Sequence, residues 1–144
     1  MKLLIDADAC PVVDCAIRLA RARGLTVVLV CDAAHQMERE GATTVTVLKG
    51  ADSADFRLVN MIEPGDVVVT QDYGLAAMCL AKRARALDQN GMAYTDDNID
   101  ALLLRRHTAA RLRRGGVRLK GPSKREPSQD AAFAAALAAL LDQA

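Results

Sequence analysis

Short apolar runs that stop at an aspartate constrain this chain more than any other feature. Lys2-Leu3-Leu4-Ile5 ends at Asp6, and Asp66 to Thr70, with three successive valines, is followed by Gln71-Asp72. Leu25 to Cys31 and Thr44 to Leu48 read as two more strands, and Arg85-Ala86-Leu87 as a short fifth. Runs this short, continuous and rich in β-branched residues suit strands buried on both faces, as in a parallel sheet.

Between the runs the apolar period becomes helical. Val12, Val13, Ala16, Ile17, Leu19 and Ala20 follow Pro11, which suits the first turn of a helix, and Gly24 closes that segment. Asp52 to Ile62 reads as a second helix with Phe56, Val59 and Ile62 inward, stopped by Pro64-Gly65. Further helices are expected at Leu75 to Arg83, about Asp96 to Arg114, and about Ser128 to Gln143. Alternation of strand and helix is the rhythm of a doubly wound α/β fold: a mostly parallel sheet flanked by helices, here one domain over residues 1–144.

At 144 residues the chain is long enough for one core, but aromatics are only 3% of it, so that core must be aliphatic. No apolar run approaches the roughly 18 residues that a membrane span needs, and acids interrupt the N-terminus too early for a signal peptide. The expectation is a cytoplasmic protein with no membrane partner. Cys10, Cys15, Cys31 and Cys79 lack CxxC or Cys/His spacing and read as small buried hydrophobes in a reducing compartment.

Ligands of such folds bind beyond the carboxyl ends of the strands, and acids gather there. Asp6 and Asp8 follow the first strand, Asp52 and Asp55 the third, and Asp72 the fourth. Asp52 and Asp72 each also read as helix N-caps. Asp6 resists that explanation, because a lone carboxylate at the end of an apolar strand costs several kcal/mol. Neighbouring parallel strands lie about 4.8 Å apart, so these acids converge and repel. A divalent cation relieves the repulsion, and oxygen-only ligands favour Mg²⁺ or Mn²⁺.

The net charge of +1 hides a basic strip. Residues 101–125 carry nine basic side chains and no acid, against 10 basic and 15 acidic over residues 1–100. Arg105, Arg106, Arg113, Arg118 and Lys120 are candidates for contacts to a nucleic-acid backbone, with a solvated helix face as the plain alternative. His107 in the strip reads as a surface histidine.

Several segments together resemble the YaiI/YqxD family of bacterial proteins: Ile5-Asp6-Ala7-Asp8-Ala9-Cys10-Pro11-Val12, Gly50-Ala51-Asp52-Ser53-Ala54-Asp55, Gly65-Asp66-Val67-Val68-Val69-Thr70-Gln71-Asp72, and Tyr94-Thr95 with Asn98-Ile99. The resemblance implies a PIN-like (Rossmann-like) domain, related to nucleases whose acidic pocket holds Mg²⁺ or Mn²⁺ and cuts single-stranded RNA. By that resemblance Asp6, Asp52 or Asp55, and Asp72 match the metal-binding acidic positions. Thr70 matches the small hydroxyl residue beside the last acid, and Asp8 belongs to this family's own motif. Catalytic roles are thus expected for Asp6, Asp8, Thr70 and Asp72.

Two rival readings remain. Asp6 and Asp8 spell the Asp-x-Asp of haloacid-dehalogenase-type phosphatases, in which Asp6 would be the nucleophile and Asp8 the acid/base. Against it, Gly65-Asp66 precedes its strand instead of following it. The other reading is a non-catalytic nucleic-acid-binding protein that keeps the acids as a relic or structural site.

Overall fold

A computed structural model describes residues 1–48, 53–121 and 123–143, with the backbone alone for residues 53–55. Six strands form one sheet: β1 (Lys2–Asp6), β2 (Thr26–Asp32), β3 (Thr43–Val47), β4 (Val67–Val69), β5 (Arg85–Leu87) and β6 (Ala93–Tyr94). Their order is β3-β2-β1-β4-β5-β6, with every pairing parallel except β5 with β6. The α-helices among the described residues are α1 (Val13–Arg21), α2 (Ser53–Met61), α3 (Tyr73–Ala81), α4 (Asp96–Arg114) and α5 (Pro127–Asp142).

Successive strand residues point to opposite faces, and the core divides accordingly. Leu3, Ile5, Val27, Leu29, Val67 and Val69 pack with α1 and with Phe133, Leu137 and Leu141 of α5. Leu4, Val30, Val68 and Ala86 pack on the other face with Leu58, Leu75, Cys79, Ile99 and Leu102. Helices therefore cover both faces of the expected α/β sheet, and the central strands have no solvated side.

Local departures from expectation have simple causes. Phe56 is exposed, because Leu58 and Ile62, four residues apart, take the inward face of α2 and Phe56 lies across the helix from Leu58. Pro11 belongs to the turn before α1, whose N-cap is Val12. The two-residue strand β6 was not expected; the Asn90-Gly91 turn returns the chain antiparallel onto β5. Cys31 and Cys79 are buried, while Cys10 and Cys15 are half-buried.

The amino edge of the sheet is closed by an ion pair. Asp66, just before β4 and 2% exposed, accepts from Lys2 Nζ at 2.6 Å, the Lys2 N–H at 3.0 Å and the Glu63 N–H at 2.8 Å. Burial alone would raise its pKa, but these donors hold the carboxyl below the ordinary value. Asp66→Ala strands a half-buried ammonium and is expected to cost about 2–4 kcal/mol in urea denaturation. With the folded pKa depressed, the stability this carboxylate provides is present above about pH 4 and lost as pH falls below it, a dependence that Asp66→Ala should lack.

A candidate acidic site at the carboxyl edge of the sheet

Register carries the first acid to its partner. In the β1–β4 pairing Ile5 lies beside Val69, so Asp6 comes level with Thr70, one residue past each apolar run. The buried Thr70 hydroxyl donates to Asp6 Oδ2 at 2.9 Å and accepts from the Asp72 N–H at 3.0 Å. Thr70 is held in turn by its carbonyl, which accepts from the buried Tyr94 hydroxyl at 3.0 Å. Asp6, Thr70 and Asp72 thus form one hydrogen-bonded line across the ends of two adjacent strands.

Asp72 also caps α3, its Oδ1 accepting from the N–H groups of Gly74 at 2.8 Å and Leu75 at 3.2 Å. The N-cap expected of this residue is thus observed. Arg106 of α4 donates to the same Oδ1 at 3.1 Å. Gly74 makes room for that approach, since a Cβ there would sit 3.3–3.4 Å from Asp72 Oδ1 and the Arg106 guanidinium.

Burial pushes the Asp6 carboxyl up to about 6; the Thr70 hydrogen bond opposes this, and the charges of Asp8 and Asp72 add to it. Burial likewise raises the neighbouring Cys10 thiol, which leaves it a protonated small hydrophobe. Ala9, between Asp8 and Cys10, has a left-handed φ of 58°, and its carbonyl accepts from Gln71 Nε2 at 2.9 Å. The strained turn after β1 is thereby tied to the loop after β4.

Asp8 turns the other way, toward β2. It accepts from the Asp32 N–H at 3.2 Å, and Asp32 Oδ1 accepts from the His35 N–H at 2.8 Å and lies 2.9 Å from His35 Nδ1. Ligand atoms of Asp8, Asp32 and His35 all lie within 4.8 Å of one another. Sequence reasoning missed Asp32 and His35. Asp32 ends β2 as Asp6 ends β1, so the same strand-end rule points to it.

Of the other expected residues, Asp52 lies outside the described residues, and Asp55 falls in α2, where only the backbone is described. Among the basic residues only Arg106 joins the acids. Arg105, Arg113, Arg118 and Lys120 are exposed along α4 and the segment after it. Arg125 is committed elsewhere, bonding Asp130, Asn90 Oδ1 and the Gln89 carbonyl.

Over residues 4–143 the sequence matches the family described as "Uncharacterized BCR, YaiI/YqxD family". The chain belongs to the YaiI/YqxD family. It is 54% identical over 143 residues to the UPF0178 protein of Exiguobacterium sibiricum, covering 99% of this chain and 98% of that one. It is 47% identical to the UPF0178 protein of Ruminiclostridium cellulolyticum, covering 95% and 90%. No solved structure gives a significant match. No helix among the described residues is long and apolar enough to cross a membrane.

The Asp6 environment makes a testable statement about stability. Its folded pKa lies above the ordinary carboxylate value, so the folded state binds the proton more tightly than the unfolded chain. Stability then falls as pH rises from about 4 to about 6 and levels off above that. In EDTA, Asp6→Asn should exceed wild type by roughly 1–2 kcal/mol at pH 7.5 and match it at about pH 3, because the amide can still accept from Thr70. Denaturation curves that differ equally at both pH values would contradict this.

Proposed function

We propose that this YaiI/YqxD protein is a divalent-metal-dependent nuclease acting on RNA phosphodiesters at the carboxyl edge of its sheet. The observation that carries the reading is the Asp6–Thr70–Asp72 line. It ties the Asp6 carboxylate, through the Thr70 hydroxyl, to the backbone N–H of Asp72 in the loop after the adjacent strand, and Asp6 is half-buried with no cation bonded to it in the described contacts. A structural ion pair would look like Asp66, which has Lys2 against it.

The residues fit a hard cation. Asp6 uses Oδ2 for Thr70, and the described bonds of Asp72 all fall on Oδ1, so each carboxylate keeps an oxygen for Mg²⁺ or Mn²⁺. Asp52 or Asp55, by the family resemblance, would complete the ligand set. A cation there supplies Lewis-acid polarisation of a phosphate and a water of lowered pKa. The protein's own part is to hold Asp6 through Thr70 and Asp72 through the α3 N-terminus. Arg106 stands at the rim, where a phosphate can take the place of its exposed pairing with Asp72.

The strip beyond Arg106 supports a polyanionic substrate. Arg105, Arg113, Arg118 and Lys120 have no described acid partner and lead away from the site along α4. With few aromatics for stacking, single-stranded RNA would be held by its backbone, in a salt-sensitive way. The phosphatase alternative loses ground, because Asp66 sits locked to Lys2 at the opposite edge of the sheet. The binding-only alternative differs from the nuclease in turnover alone.

Asp72→Asn separates structure from activity. Asparagine caps helices about as well as aspartate, and the lost pairing with Arg106 is exposed and worth little. The variant should melt near wild type in EDTA, yet cleave single-stranded RNA at least about 100-fold more slowly with Mn²⁺. Equal cleavage by both proteins would trace the activity to a contaminant. No cleavage by wild type across varied RNAs would favour the binding-only protein.

A further inference from the structure

Past its first two turns, α4 has no buried residue. Ile99 and Leu102 are buried, but residues 104–108 and 111–121 are all exposed. Four of the eight exposed large apolar side chains among the described residues fall in this stretch: Leu104, Leu112, Val117 and Leu119, with Leu104 65% exposed. They are not scattered. Ala101, Leu104, Thr108, Ala109 and Leu112 line one shallow groove along the helix, with Arg105 on its rim. After Gly116 the Val117 N–H donates to the Leu112 carbonyl at 3.0 Å, and Leu119 closes the groove. At about 100° per residue this face lies roughly a third of a turn from the side that carries Ile99, Leu102 and Arg106. The groove and the acidic site therefore use different faces of α4.

We propose that the groove is covered by the same groove of a second copy of this chain, the two α4 helices packing antiparallel about a two-fold axis. Charge along α4 selects this occupant. Asp96 and Asp97 stand in its first turn and Asp100 just after, whereas Arg111, Arg113 and Arg114 stand in its last. A parallel pair would set like charges together. In an antiparallel two-fold pair like flanks meet; Asp100 and Arg111 lie on one flank of the apolar stripe, and Asp97 continues its near border at the helix start. Asp97 and Asp100 of each copy then face Arg111 of the other.

The apolar residues agree with that register. With the axis near Arg106, Leu104 comes opposite Thr108 of the second copy, and Ala101 comes near its Leu112. Each leucine meets a small side chain, as close helix packing requires. Arg105 is the discordant residue, because the two copies' guanidiniums approach one another beside the axis. A lipid surface fits less well: interfacial helices bury leucine and aromatic rings, whereas the middle of this stripe is Thr108 and Ala109 with no aromatic.

Sedimentation equilibrium of the full chain tests the pairing without RNA or metal, so its outcome is independent of the nuclease reading. A dimer is expected, with Leu104→Glu raising its dissociation constant at least about tenfold, since each copy loses a buried leucine. Leu104 is exposed in the single chain, so circular dichroism and Tm of the dilute variant should match wild type. Asp97→Arg and Arg111→Asp should each weaken the dimer, and the two together in one chain should restore it. Arg105→Gln should tighten it. A chain that stays monomeric to about 1 mM would overturn the proposal. So would a dimer indifferent to Leu104→Glu, or a double reversal that fails to restore association. Binding of monomeric wild type, but not of Leu104→Glu, to anionic phosphatidylglycerol vesicles would assign the stripe to lipid instead.

Discussion

The parallel register between β1 and β4 is the constraint on which the rest of the site depends. Setting Ile5 beside Val69 makes Asp6 the neighbour of Thr70, and Thr70 the bridge to Asp72. A slip of one residue would place Asp6 against a valine and send Leu4 to the face now held by Ile5. The aliphatic packing of both sheet faces therefore fixes the position of the acids as firmly as any contact between them. Apolar burial supplies the rigidity, and the carboxylates are placed by it.

The two edges of the sheet treat a buried carboxylate in opposite ways. At the amino edge Asp66 is neutralised by Lys2 and by two backbone donors, and its pKa falls. At the carboxyl edge burial raises the Asp6 pKa, the one hydroxyl donor opposes that only in part, and two nearby acids add to it. Within one small domain the first carboxylate is neutralised by its partner, whereas the second has no basic partner among the described contacts. Arg106 pairs instead with Asp72, at the exposed rim.

Much of this arrangement was legible in the sequence, because short apolar runs ending in aspartate report both the strand and its edge. β1, β4, β5 and the whole of α4 fall where their patterns place them. Phe56 misled because a helical period in a short segment admits two faces, and only packing against Leu58 decides between them. Asp32 and His35 escaped notice for a different reason. Their meeting with Asp8 depends on the turn after β1 bending toward β2, which a left-handed alanine at position 9 permits and no residue type announces. The pairing of Arg106 with Asp72 is likewise a product of tertiary packing, although Gly74 is its trace in the sequence.

The central claim is that the line from Asp6 to Asp72 is built to hold a divalent cation. Crystals grown with Mn²⁺ and measured at its absorption edge test it most directly. An anomalous peak is expected at roughly 2.0–2.3 Å from one oxygen of Asp6 and one of Asp72, within bonding range of a hard cation. A peak confined to Asp8, Asp32 and His35, or no peak at the carboxyl edge of the sheet at millimolar Mn²⁺, would contradict it.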